Sequence, residues 1–225
     1  MALPTRIGRL RLPVLCFVVN QATVKDGDVE KAVSGAIAGG ASMVRISEEG
    51  MPAGEFLELA RKVHSVTRGK ALLVIDDRVD VAVAADADGV ELPETGLPTR
   101  AARAQVGKYA VVGRRVYDAE KAVEATHEGA DYVTVGSIFK GATKSEKAAG
   151  VALLKEIRKD SNLPMLAAGG ITADKVSDVI KAGAAGVAVS TAIANADDPK
   201  AAAEELAQAM KDAWAARPEE VAASA

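Results

Sequence analysis

Residues 163–172 read Leu-Pro-Met-Leu-Ala-Ala-Gly-Gly-Ile-Thr, and this stretch predicts a buried strand that runs into a glycine turn. Residues 185–193 repeat the pattern and end in Val-Ser-Thr-Ala-Ile. Two neighbouring strands of this kind expose backbone N–H groups side by side, because glycine has no Cβ to keep a ligand away. A short helix beginning at Ser190 would point its unpaired N–H groups at the same place. The pattern predicts a phosphate site, formed by Gly169, Gly170, Ser190 and Thr191, where (β/α)8 barrels commonly bind phosphate.

Strand and helix patterns alternate along the chain. Val14–Val19 is a continuous apolar run, typical of a strand that is buried on both faces of a parallel sheet. Asp26–Ala38, which follows, has apolar residues at helical spacing. The alternation continues through eight strand–helix pairs, which predicts a parallel sheet covered by helices. Eight units in about 210 residues favour an α/β protein of the (β/α)8 TIM barrel class, as a single domain, over a doubly wound sheet.

Three segments can be distinguished in the sequence. We expect an N-terminal extension at residues 1–13, the TIM barrel at residues 14–213 and a disordered tail at residues 214–225. The tail is expected because no periodic pattern follows the last predicted helix, Pro199–Trp214.

Composition excludes several classes of partner. The chain has 28 Lys and Arg against 31 Asp and Glu, and this net charge of −3 argues against nucleic acid or an anionic membrane surface as a partner. No apolar run approaches the length of a membrane span. The single cysteine, Cys16, excludes an internal disulfide and fits a reducing cytoplasm. The oligomeric state is not fixed by the sequence, so a homo-oligomer stays open.

Charged residues follow several predicted strands, at the face where barrel enzymes carry their active sites. Carboxylates there suit Mg²⁺, which takes one or two carboxylates and completes its octahedron with water and phosphate oxygens. Cations suit phosphate or diphosphate. The carboxylates are Asp76, Asp77, Glu91 and Glu94, and the cations are Arg45, Lys144 and the pair Arg114 and Arg115, directly after the predicted fifth strand Tyr109–Gly113. The alternative, that these charges pair with one another and bind nothing, stays open.

Both histidines, His64 and His127, fall in helix patterns, so a histidine base at this face is not expected. Any general base would have to be a carboxylate, a lysine or the substrate itself.

Several motifs resemble those of the thiamine phosphate synthases. Asp76–Asp80 resembles the family's Asn-Asp-Arg-Val-Asp stretch, and Gly129–Phe139 resembles its Ala-Asp-Tyr motif followed by Gly-Pro-Ile-Phe. Thr143 and Lys144 match the family's Thr-Lys pair. The similarity continues through the two glycine- and serine-containing stretches and runs from about residue 14 to residue 212.

The resemblance implies a TIM barrel that joins a hydroxymethylpyrimidine diphosphate to a thiazole phosphate, with Mg²⁺, releasing diphosphate. It implies that Asp77 is a metal ligand and that Thr143 and Lys144 contact the diphosphate. The partner is then a small phosphorylated heterocycle. The candidate catalytic residues are Lys144, Asp77 and Glu91, and the candidate substrate-binding residues are Arg45, Asp76, Arg114, Arg115, Thr143, Gly169, Gly170, Ser190 and Thr191.

The sequence departs from the family pattern in the predicted site. The family's strand two carries Gln, Arg and Lys at alternate positions, and these places hold Arg45, Ser47 and Glu49. Its second metal carboxylate falls on Gly96, and its strand-four histidine falls on Glu91. A change from Lys to Glu reverses a charge beside the leaving diphosphate, which should repel it.

A sister group, the thiazole tautomerases, also lacks the metal carboxylates. Its strand four resembles Val90–Pro93 and its strand five ends in Gly-Arg, as at Gly113 and Arg114, but its catalytic histidine falls on Ser137. Three hypotheses therefore stay open: a thiamine phosphate synthase with a rearranged diphosphate site, a metal-independent enzyme acting on a thiazole or other heterocycle phosphate with Glu91 or Asp77 as base, and a non-catalytic phosphate-binding barrel.

Overall fold

A computed structural model describes residues 9–141 and 148–217 of the chain. Its strands form a closed barrel in chain order, with all pairs parallel, which confirms the predicted (β/α)8 fold. The strands are β1 Val14–Val19, β2 Met43–Ile46, β3 Leu72–Asp76, β4 Gly89–Leu92, β5 Val111–Val116, β6 Tyr132–Val135, β7 Met165–Ala168 and β8 Gly186–Val189. The helices are α1 Val29–Ala38, α2 Ala53–Thr67, α3 Val79–Ala84, α4 Thr99–Val106, α5 Ala119–His127, α6 Ala152–Asp160, α7 Ala173–Lys181, α8 Thr191–Ala194 and α9 Pro199–Ala215.

Alternation along each strand divides the apolar side chains between two cores. On β1, Leu15 and Phe17 point outward and join the helices in a large core that includes Val33 and Phe56. Val14 and Cys16 point inward and join a smaller core inside the barrel. Side chains on a strand alternate between its faces, so continuous apolar runs such as Val14–Val19 serve both cores at once.

The interior core contains one large aromatic side chain. Tyr132 on β6 is fully buried, and a Cβ placed on the neighbouring Gly113 of β5 would lie 2.2 Å from its ring atom Cζ. Burial raises the pKa of the Tyr132 phenol, and it raises the pKa of the Cys16 thiol to about 11, although Arg45 opposes both shifts. Gly113 is therefore required by the ring that packs over it.

The segment before β1 closes the N-terminal end of the barrel. Leu10 is buried in the interior core, and Arg9 forms an ion pair with Asp88, just before β4. Arg9 also donates to the Tyr109 carbonyl, at 2.9 Å. The described part of the predicted extension thus packs against the barrel floor, while residues 1–8 lie outside the described residues.

Element ends differ from the predicted ends for identifiable reasons. Helix α1 begins at Val29, after the predicted Asp26, because the Asp28 carboxylate caps it by accepting from the Lys31 N–H. Strand β5 extends to Val116, beyond the predicted Gly113, because it pairs with β6 as far as Val116. Within the described ranges, none of the helices is long and apolar enough to cross a bilayer.

Gly113→Ala is expected to lower the free energy of unfolding by about 1–3 kcal/mol, since the new methyl group overlaps the Tyr132 ring. The matched control is Gly54→Ala in α2, where a Cβ meets nothing within 4 Å and a helical alanine should stabilise by about 0.5–1 kcal/mol. Urea denaturation measures both. Equal stability of the two variants would contradict the packing of Tyr132 against Gly113.

Candidate active site at the C-terminal end of the barrel

Five polar side chains from neighbouring strands point into the upper barrel. They are brought together by the parallel register, in which Asp76 of β3 pairs with Glu91 of β4 and Arg115 of β5 pairs with Thr134 of β6. Arg45 of β2 lies level with Val74, one inward position below Asp76. Because alternate residues of a strand share a face, these five side chains share the interior.

Glu91 and Arg45 form a buried ion pair. Glu91 is fully buried and Arg45 is 5% exposed, and Oε1 of the carboxylate contacts Nη1 of the guanidinium. The Thr134 hydroxyl donates to the other carboxylate oxygen, at 2.6 Å, and Arg115 Nη2 lies 3.7 Å from Oε1. Charges buried this deeply are tolerated only when they are paired, so each partner depends on the other.

A second ion pair lies above the first, closer to solvent. Arg115 Nη2 donates to Asp76 Oδ1 at 2.7 Å, and the Ser47 hydroxyl donates to Asp76 Oδ2 at 2.7 Å. Burial alone would lower the pKa of the Arg115 guanidinium, but Asp76 and the Tyr117 phenol together hold that pKa above its usual value. Arg115 therefore keeps its charge at the barrel opening.

Arg45, Asp76, Glu91 and Arg115 together are called the mouth network here. Two positive and two negative groups give it no net formal charge. These four charged side chains at the strand ends thus pair with one another, as the alternative interpretation of the sequence expects. Their roles in substrate binding and catalysis stay predictions.

Arg114 does not join the mouth network, contrary to the expectation that it shares the opening with Arg115. Strand β5 continues through both arginines, so their side chains point to opposite faces. The Arg114 guanidinium donates to the carbonyls of Leu97 and Glu94, at 2.6 and 2.9 Å. Arg114 holds the loop between β4 and α4, and its contact with a substrate stays a prediction.

Asp77, the residue expected to bind a metal, follows β3 directly. It is exposed, its backbone is left-handed with φ of 59°, and its N–H donates to the Glu91 carbonyl at 2.8 Å. A Cβ placed on Gly96 would lie 3.1 Å from Asp77 Oδ1, so the place for a second carboxylate is adjacent to Asp77 and holds glycine. Within residues 9–141 and 148–217, no three His, Cys, Asp or Glu side chains are grouped so as to hold a metal ion.

With Asp77 as the carboxylate ligand, the site fits only an Mg²⁺ ion whose other coordination positions are mostly filled by water and substrate oxygens. One exposed carboxylate can supply a single oxygen, and diphosphate oxygens would have to supply others.

The loop after β7 runs beside the loop after β6. The Ile138 N–H donates to the Ala168 carbonyl at 2.8 Å, and the Phe139 N–H donates to the Gly169 carbonyl at 3.0 Å. Gly170 has φ of 62°, and a Cβ there would lie 2.5 Å from the Lys140 carbonyl oxygen. The loop itself therefore requires glycine at position 170, whether or not a phosphate binds there.

The loop after β8 lies next to these glycines. Ala168 of β7 pairs with Ala188 of β8, so Gly169 and Gly170 continue from one strand beside Ser190 and Thr191 from the other. The Ser190 carbonyl accepts from the first turn of α8, and the helix begins at Thr191, one residue after the predicted Ser190, which is its N-cap. The adjacency of the two stretches is confirmed, and the phosphate they are expected to bind stays a prediction.

Of the predicted site residues, Thr143 and Lys144 lie outside the described residues. Ser47, Thr134 and Lys175 contact predicted site residues, although the sequence did not single them out for this role. Strand alternation could have identified Ser47, which lies two residues after Arg45 and so shares its face. Together with strand pairing it could also have identified Thr134, which lies beside Arg115.

The molecule is thus a (β/α)8 barrel with paired charges in its mouth and glycine- and serine-containing loops after β7 and β8. The sequence model of a family described as thiamine monophosphate synthase matches residues 15–193. The chain belongs to this family.

Individual relatives agree with this placement. The thiamine-phosphate synthase of Haloarcula marismortui is 40% identical over 202 residues, which cover 87% of this chain and 96% of the relative. That of Chloroflexus aurantiacus is 38% identical over 194 residues, covering 84% and 89%. The solved structure of thiamine phosphate pyrophosphorylase from Pyrococcus furiosus superposes with a TM-score of 0.80 at 33% identity, covering 89% of this chain and 97% of that one.

Glu91→Gln is expected to lower the free energy of unfolding by about 3–5 kcal/mol, because it leaves the Arg45 charge buried without its partner. Arg45→Met should cost a similar amount, for the converse reason. The double variant should cost less than the sum, with a coupling energy of about 0.5–3 kcal/mol in a double-mutant cycle. The control is the exposed pair Lys121 and Glu124, where the same changes should stay within about 0.5 kcal/mol. Additive effects at the buried pair would show that the two charges do not support each other.

Proposed function

We propose that the chain is a thiamine phosphate synthase, joining hydroxymethylpyrimidine diphosphate to a thiazole phosphate with release of diphosphate. Membership of the family, across nearly the whole barrel, is the observation that carries the proposal. The relatives named thiamine-phosphate synthase support it at 38–40% identity over most of both chains. Barrels of this shape serve many chemistries, so sequence similarity supports the proposal more than shape does.

The proposed reaction has two bond changes. The bond between the pyrimidine methylene carbon and the diphosphate oxygen breaks, and its electron pair leaves with the diphosphate. The thiazole nitrogen then donates its lone pair to the methylene carbon and forms the new C–N bond. No proton has to be removed by a protein base in these steps, which agrees with a mouth that lacks a histidine. The protein has to stabilise negative charge on the leaving group and hold the two rings in line.

The neutral mouth network limits which residues can stabilise the leaving diphosphate. Arg45 is buried against Glu91, so its charge is already matched. Arg115 has 24% of its side chain exposed and can turn remaining N–H donors towards the opening. We assign Arg115 to the diphosphate, together with Thr143 and Lys144, which the family resemblance places there. This is the rearranged diphosphate site of the proposal.

Asp77 is the residue to which we assign Mg²⁺. It is exposed at the end of β3, and its carboxylate makes no hydrogen bond among the described residues. When bound, Mg²⁺ would neutralise charge on the diphosphate. Since position 96, beside Asp77, holds glycine and not a second carboxylate, we expect a weak site that forms together with the substrate.

Gly169, Gly170, Ser190 and Thr191 are assigned to the phosphate of the thiazole substrate. Their backbone stretches lie side by side at the ends of β7 and β8. The first N–H groups of a helix have no partner inside the helix and can donate to an anion.

The metal-independent alternative is not favoured by the geometry. It requires a carboxylate base that touches the substrate, and Glu91 is fully buried with one oxygen against Arg45 and the other accepting from Thr134. Asp77 is accessible, but it has left-handed backbone geometry, and within residues 9–141 and 148–217 its carboxylate accepts no hydrogen bond that would orient it.

The purified chain is expected to release diphosphate and form thiamine phosphate when it is given both substrates and Mg²⁺. Arg115→Met should lower kcat/KM for the pyrimidine diphosphate by about 10- to 100-fold, the value of a hydrogen bond to a charged group. The control is Arg61→Met on α2, whose guanidinium pairs with Glu58 on the surface. Diphosphate release and chromatography of the product measure both.

Failure of the wild-type chain to form thiamine phosphate under these conditions would sink the proposed function. Turnover of a thiazole phosphate alone, in excess chelator, would favour the tautomerase-like alternative. Binding without any turnover would favour a non-catalytic barrel. An unchanged kcat/KM in Arg115→Met would leave the reaction in place but reject the assignment of Arg115.

Asp77→Asn is expected to raise the Mg²⁺ concentration needed for half-maximal activity by about tenfold or more, because an amide is a much poorer ligand for a hard cation than a carboxylate. Maximal activity at saturating Mg²⁺ should be less affected. A Mg²⁺ titration of initial rates measures this, with Asp212→Asn on α9 as the control. Identical Mg²⁺ dependence in Asp77→Asn and the wild-type chain would place the metal elsewhere.

A further inference from the structure

Lys175 makes two contacts beside the proposed phosphate site. It lies in the first turn of α7 and is half-buried. Its ammonium nitrogen donates to the Gly170 carbonyl, at 3.1 Å, and lies 5.2 Å from the centre of the Phe139 ring. One side chain thus holds the loop after β7 and the loop after β6 at the same point.

The two loops meet where Lys175 contacts them. The Phe139 N–H donates to the Gly169 carbonyl, and Gly170 packs so tightly against Lys140 that a Cβ would overlap its carbonyl oxygen. Lys175, on helix α7, contacts both loops at this point. A charge-assisted hydrogen bond and a cation–π contact are both stronger than a neutral contact of the same size. Lys175 therefore helps to fix the orientation of the Gly170–Ile171 peptide.

The charge of Lys175 also matters for an anion bound at this loop. A carbonyl oxygen beside an anion is repulsive, and the ammonium group on the Gly170 carbonyl offsets that repulsion. Lys175 has no carboxylate partner at ion-pair distance among the described residues, whereas the mouth network balances its own charges. The neighbouring Asp174 carboxylate is exposed and acts on Lys175 only from beyond ion-pair distance, so positive charge remains beside the glycine loop. Three N–H groups belong to the ammonium, and the Gly170 carbonyl uses one of them.

We propose that Lys175 is a positioning residue for a phosphate monoester: it fixes the Gly169–Gly170 loop through the Gly170 carbonyl and adds positive charge beside it. The inference deepens the proposed function, on which it rests for the thiazole phosphate as ligand. The proposed phosphate site then includes Lys175 of helix α7, in addition to the backbone of the glycine and serine loops.

Lys175→Met tests the inference, because methionine keeps an unbranched stem near Phe139 but removes the charge and the donor. The KM for the thiazole phosphate should rise about tenfold, while kcat and the KM for the pyrimidine diphosphate stay unchanged. Lys175→Arg should recover most of the affinity, since it restores charge and donors. The control is Lys181→Met at the exposed C-terminal end of the same helix, which should match the wild-type chain.

Calorimetric titrations with thiazole phosphate, the unphosphorylated thiazole alcohol and inorganic phosphate separate binding from turnover. Lys175→Met should weaken binding of the two phosphate ligands and leave binding of the alcohol unchanged. The inference is overturned if Lys175→Met matches Lys181→Met for thiazole phosphate, or if it weakens phosphate and alcohol equally. Equal weakening in Lys175→Arg would also overturn it.

The two proposals can fail separately. If the wild-type chain makes thiamine phosphate and Lys175→Met behaves as the control does, the role of Lys175 is rejected and the proposed function stands. If the wild-type chain makes no thiamine phosphate but binds inorganic phosphate, and Lys175→Met weakens that binding, the positioning role stands and the proposed function falls.

Discussion

A buried carboxylate must be paired, and this requirement governs the upper half of the barrel. Glu91 is fully buried on β4, and it is compatible with the fold because Arg45 and Thr134 reach it from β2 and β6. Arg115 and Asp76 extend the pairing towards solvent. The family resemblance would place a glutamine and a histidine where Arg45 and Glu91 stand. The two departures are thus understandable together, as the two halves of one ion pair.

The pairing of charges in the mouth network also determines which groups remain available to bind an anionic substrate. Charges that satisfy one another inside the barrel offer little to a phosphate, so binding has to come from the rim. There the chain offers the exposed part of Arg115, the backbone of the loops after β7 and β8, and Lys175. Arg115 and the two loops lie at strand ends of the rigid barrel, which is where this fold carries its chemistry, and Lys175 reaches one of these loops from helix α7.

The sequence predicted the barrel well, because its signals are local and repeat eight times. Apolar runs such as Val14–Val19 and the glycine turns after helices needed no knowledge of distant partners. The adjacency of the stretches after β7 and β8 followed from strand order alone. The site was harder, because its contacts join residues far apart in sequence. Placing the end of β5 at Gly113 hid the alternation that separates Arg114 from Arg115, and Lys175 on a helix gave no sign that its side chain reaches back to Gly170.

The proposed site requires that a phosphate binds at the rim loops while the mouth network stays paired. A crystal structure of the protein with a thiazole phosphate bound tests this most directly. We expect phosphate oxygens within hydrogen-bond distance of backbone N–H groups at Gly170 and Thr191, with the Arg45–Glu91 pair intact. A phosphate bound to Arg45, with Glu91 displaced from its partner, would show that the substrate binds inside the barrel and not at the rim.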